Sequence, residues 1–130
     1  IVVGGWWLDR AAAPDALAIA LATTPSAREA AIDGAVSITP AATFRIADGR
    51  WCRAFTQRRA ADLAEGVACR GPDGSWRVEL LAPQALAALP ADTYAPAGAE
   101  PSLTELWREA AGAGEALPPA GEHELLAGWR

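Results

Sequence analysis

The chain has 130 residues and two cysteines, enough for one domain with a modest core that a cross-link would help to hold. Its net charge of −5 argues against sequence-independent binding to nucleic acid. Lys, Asn and Met are absent while Ala, Gly, Pro and Arg abound, the bias of a GC-rich genome, so the use of Arg alone as the strong cation carries no functional message.

Residues 1–8, Ile-Val-Val-Gly-Gly-Trp-Trp-Leu, are apolar and stop at Asp9-Arg10. They are too short to span a bilayer, which takes about 20 residues. Paired Trp at an interface and the lack of an initiator Met lead us to expect the trailing end of a membrane span within residues 1–10, attaching the chain through whatever precedes Asp9, with a single domain over 11–130. An ordinary buried segment or a start strand is the alternative. Residues 15–22 are Ala-rich, with Leu17 and Leu21 one turn apart, and predict a short helix stopped by Pro25. Ser26 to Glu29 matches a capping box but meets Asp33-Gly34 within a turn, leaving either one helical turn or a loop. Residues 35–39 alternate and predict an edge strand ended by Pro40.

Residues 43–81 hold both cysteines, seven of the eleven arginines and the best turn signals. Asp48-Gly49, taken as a two-residue hairpin turn, places strands at 43–47 and 50–57 with Ala47 facing Arg50. Gly71-Pro72-Asp73-Gly74 joins a strand near 65–70 to one near 75–81. Symmetric closure of the middle connection sets Cys52 opposite Cys69, within reach of a disulfide. That register puts Cys52, Ala54, Val67, Cys69, Trp76, Val78 and Leu80 on one face. The other face then carries Phe44, Ile46, Trp51 and Phe55 with Arg53, Arg70 and Arg77. The fold class is α+β: a small antiparallel meander of four to five strands pinned by one disulfide, with short flanking helices. Reduced core cysteines are the alternative to the cross-link.

Residues 83–89 predict a short helix and 91–101 a surface connection. Ser102 to Glu105 is a cleaner capping box, and Leu103, Leu106, Trp107 and Ala110 form a helical stripe ended by Gly112. Residues 122–127 predict a last short helix, with Gly128 as its cap and Trp129 folding back.

Cys52-Arg53-x-Phe55 followed by Ala68-Cys69-Arg70-x-x-Asp73-Gly74-x-Trp76 resembles a signature shared by two bacterial families. One is the extracytoplasmic domain of membrane-anchored anti-sigma factors or transmembrane transcriptional regulators of alphaproteobacteria. The other is the C-terminal domain of rickettsial-type 17 kDa surface antigens. The regulator resemblance implies a non-catalytic sensory or partner-binding domain in the periplasm, anchored in the inner membrane. Its partner would be an envelope protein, and a sigma factor would be reached only through a cytoplasmic segment outside this sequence. The antigen resemblance implies a cell-envelope structural domain.

No chemistry emerges beside this. His123 is the only histidine, between two glutamates that point elsewhere on a helix, so no metal site forms locally. Every serine has a turn or a cap to explain it, and no glycine run has the frame of a phosphate loop. We expect no enzyme, no cofactor and no nucleic-acid partner. Residues 45–77 carry a local charge of +3 against −8 in the remainder. Arg53, Arg70 and Arg77 beside Trp51 are therefore either covered by carboxylates of the chain's own C-terminal third, such as Glu105, Glu109 or Glu122, or open to an anion or acidic partner.

Overall fold

The computed structural model describes residues 11–12, 15–83 and 102–129. The expected span end at 1–10, the helix at 83–89 beyond its first residue, and the connection at 91–101 lie outside these. Among the described residues six strands form one antiparallel sheet. Four are long: β3 (Val36–Arg45), β4 (Trp51–Arg59), β5 (Asp62–Arg70) and β6 (Trp76–Pro83). Two are two-residue pieces, β1 (Ala11–Ala12) and β2 (Ala30–Ala31), and the order across the sheet is β1-β6-β5-β4-β3-β2. Among the described residues there are three helices: α1 (Asp15–Thr23), α2 (Leu103–Ala111) and α3 (Pro119–Trp129).

The two connections at 47–49 and 72–74 are three-residue loops rather than two-residue turns. The Ile46 amide donates to the Arg50 carbonyl, and the Gly71 amide to that of Ser75. The third residue of each loop is a glycine at positive φ, Gly49 at 95° and Gly74 at 86°, the position that closes a type I turn into a hairpin of this length. Each extra residue shifts the outer strand by one place and exchanges its faces. Phe44 thus lies opposite Cys52, and Trp76 opposite Arg70, not beside Cys69 as the shorter turn would have it. The middle hairpin turns through Ala60 and Ala61 alone, with Ala60 at φ 53°, and the pairing Cys52↔Cys69, Ala54↔Val67, Thr56↔Glu65 stands as expected. The cysteines are joined, with Cα atoms 4.0 Å apart.

Both faces of the sheet are covered. On one, Phe44, Ile46, Cys52, Ala54, Val67 and Cys69 pack with Leu80 and, from α2, Trp107 and Ala111. On the other, Ile38, Phe55, Ala68 and Trp76 pack with Leu17, Ala20 and Leu21 of α1 and Trp129 of α3. A bulge between Val67 and Ala68 explains why Leu80 returns to the cysteine face although Trp76 and Val78 have left it. Pro40 does not end its strand. It sits inside β3 at a bulge, where its carbonyl accepts from the Ala27 amide on the side away from β4, so the missing N–H interrupts no bond to β4.

Local signals place the helices. Ser102 caps α2 by accepting the Glu105 amide, and Gly112, at φ 70°, closes it. The packing side of α2 is Trp107 and Ala111, however, and Leu103 and Leu106 of the expected stripe are each 48% exposed. Residues 26–29 form a turn and not a helix, with Ala27 at φ 72° and the Glu29 carboxylate accepting from Ser37. Helix α3 runs through Gly128, so that residue is no cap, and Trp129 reaches the sheet from the last turn. Between α2 and α3 the chain crosses from one face to the other along β3. The Gly114 amide donates to the Arg45 carbonyl, the Leu117 amide to that of Thr43, and the Ala47 amide to that of Ala111.

Gly66 has no room for a side chain. A Cβ there would lie 2.6 Å from Cζ of Phe55 and 3.0 Å from the Leu80 carbonyl oxygen. Phe55 is 2% exposed and has nowhere to turn. Gly66→Ala should therefore destabilise the fold by about 1–3 kcal/mol in denaturant titration, and an unchanged midpoint would show that the ring does move.

Candidate functional site

The arginine-bearing stretch separates into three environments. Arg53 is fully buried beneath α1 and α3. Its Nε donates to Oγ1 of Thr43 at 2.8 Å and its Nη1 to the Leu21 carbonyl at 2.6 Å. Its Nη2 lies 3.5 Å from Oε2 of Glu122 without the alignment of a hydrogen bond. The Glu122 carboxylate accepts from the amide and hydroxyl of Ser26, at 2.7 and 2.5 Å, and from the Thr43 hydroxyl at 2.8 Å. One ion pair thus ties α3, the loop after α1, and strands β3 and β4 together. Burial alone would raise the pKa of Glu122, but the Ser26 and Thr43 donors and the Arg53 charge outweigh it and hold it below its usual value. Burial likewise pulls the pKa of Arg53 down, opposed by the Glu122 charge. Arg53 therefore offers nothing to a partner.

Arg77 stands apart too. It pairs with Cys69 in the ladder, on the face opposite to Arg53, and is exposed. Arg53 and Arg77 therefore do not flank one residue from the same side.

Arg70 and Trp51 do come together. Arg45 lies opposite Trp51 and Arg70 opposite Trp76, and Trp51 and Arg70 sit one step beyond the Cys52↔Cys69 pair. Cations and rings therefore alternate across four strands in a row that the sequence reading did not contain. Arg45 rests over Trp51 at 5.4 Å and Arg70 over Trp129 at 5.2 Å, while Trp129 meets Trp76 edge-on at 5.4 Å. The row borders an open groove of about 390 Å³ between the two three-residue loops, lined by Asp48, Gly49, Arg50, Trp51, Arg70, Gly71 and Pro72. Arg50 is committed to Asp48 at 2.9 Å and Glu79 at 3.2 Å. The local excess of arginine was visible in the sequence, but the row depends on loop lengths and on Trp129, from the other end of the chain.

The cross-face helix is docked by similar chemistry: Oε1 of Glu65 accepts the amide and hydroxyl of Thr104 in the first turn of α2, at 2.8 and 2.7 Å. His123 is exposed. Among the described residues no three His, Cys, Asp or Glu side chains could together hold a metal ion.

The family model of the 17 kDa outer membrane surface antigen matches residues 18–77, a little under half of the chain. The match begins inside α1, takes in both cysteines and Arg53, and ends just after Trp76. The chain is thus similar to surface antigens over its disulfide-pinned part, which supports that half of the sequence resemblance. Nothing found supports the anti-sigma half. No curated protein and no solved structure matches the chain. An inner-membrane anchor is not supported either, and no helix among the described residues is long and apolar enough to cross a membrane.

Proposed function

We propose that the chain is a non-catalytic domain of the bacterial cell envelope, similar in role to surface antigens, in which a disulfide-locked sheet presents a fixed surface. The observation that carries this is the coincidence of the matched segment with the cross-linked strands and with Arg53, the cation of their buried ion pair. The disulfide suits an oxidising compartment outside the cytoplasm. The buried charged groups support the non-catalytic reading as well, because Arg53 and Glu122 are spent on holding helices to the sheet. Nothing in the fold favours the sensory regulator over this reading.

Fractionation of native cells tests it. The full-length protein should sediment with the outer membrane, with Cys52 and Cys69 closed to alkylation until reduced and unfolded. Recovery with the inner membrane or cytosol, or free thiols in the native protein, would overturn the proposal.

A further inference from the structure

Stacking occupies the flat face of a guanidinium and leaves its N–H edges in the ring plane free to donate. Arg70 is held in this way: Trp129 lies under it, and its Nη2 comes within 3.0 Å of where a Cβ on Gly74 would stand. Arg45 is held by Trp51 and by the bond from its Nε to the Gly49 carbonyl at 3.0 Å. Among the described residues neither arginine forms an ion pair, in contrast to Arg50 and Arg53. The Asp73 carboxylate feels the Arg70 charge but forms no ion pair with it, its Oδ1 accepting from the amide and hydroxyl of Ser75. Two cations are thus positioned ahead of any ligand, their rotamer freedom already lost, on either side of the half-buried Trp51 ring.

We infer that the groove between the loops at 47–49 and 72–74 is a carboxylate-binding site, with Arg70, which lines it, as its anchor and Arg45, stacked on Trp51 outside the lining, as a second donor at its border. The occupant is an acidic peptide segment of another protein. The groove is open and lined by Gly49, Trp51, Arg70, Gly71 and Pro72 together with Asp48 and Arg50; those last two pair with each other, which leaves the Arg70 charge for an extended chain bearing carboxylates. The inference is independent of where the protein resides, since it concerns the purified chain alone.

Titration of the purified chain with a hexaglutamate peptide, followed by tryptophan fluorescence, tests it. Binding should saturate and weaken as salt rises. Arg70→Gln and Arg45→Gln should each weaken it roughly tenfold with the thermal midpoint held, and Arg77→Gln, on the opposite face, should leave it unchanged. Arg45 is exposed, so its variant remains informative if the Arg70 variant loses stability. Absence of saturable binding, equal loss in Arg77→Gln, or binding of oligogalacturonate but not of the peptide would each overturn the assignment.

Discussion

Glu122→Ala should lower the stability of the domain by about 3–5 kcal/mol, because it leaves the fully buried Arg53 without a counter-charge. The same change strips the acceptors from Ser26 and Thr43, so the loop after α1 and the C-terminal helix loosen together. Glu122→Gln keeps the shape and part of the hydrogen bonding and should cost less. The pair also sets a pH dependence. The carboxyl of Glu122 has a folded pKa below its ordinary value of 4.5. Its contribution is therefore fully present above that ordinary value and disappears as pH falls through the lowered folded one. Denaturant midpoints should fall on acidification below about pH 5 in the native protein and fall less steeply in Glu122→Gln. A loss under 1 kcal/mol for the alanine variant would mean that water replaces the carboxylate at no great cost.

Opening the disulfide should have the second large effect. The bond joins residues 17 apart, and the chain-entropy estimate for a loop of this size is about 3 kcal/mol. Both sulfurs lie in the packed face under α2, at 0% and 1% exposure, so Cys52→Ala with Cys69→Ala exchanges well-packed sulfur for empty space in addition. The double variant should melt well below the native protein. Intact mass should rise by two hydrogens on reduction, and reduction should need partial unfolding. A native protein whose mass does not change with reductant would contradict the cross-link.

The pinned centre of the fold was legible because its turn is short and symmetric. Once Ala60 and Ala61 are the only turn residues, Cys52 must face Cys69. The outer strands were not, because Asp48-Gly49 and Gly71-Pro72-Asp73-Gly74 signal a hairpin without deciding between two and three loop residues. That single choice, made twice, moved Phe44, Ile46, Trp76 and Val78 to the opposite faces. It also decided which arginines meet. Arg53 was expected on one face with Arg77 and is instead on the opposite face, under α3, paired with one of the three carboxylates that the sequence put forward for covering the arginines. The caps of α2 were readable from Ser102 and Gly112, since capping is local chemistry. Which stripe of α2 packs was not, since it depends on where Glu65 holds the first turn.

The segment that carries the chain from α2 to α3 has a further consequence. By donating from Gly114 and Leu117 to β3, it occupies main-chain acceptors that a foreign strand would otherwise seek. Two-residue β2 and the bulged Pro40 interrupt the rest of that border. On the opposite border, among the described residues, β1 pairs with Arg77 and Val78 of β6. The β3 border is in this way protected from fibril-like stacking of one copy on another, however densely the protein is packed.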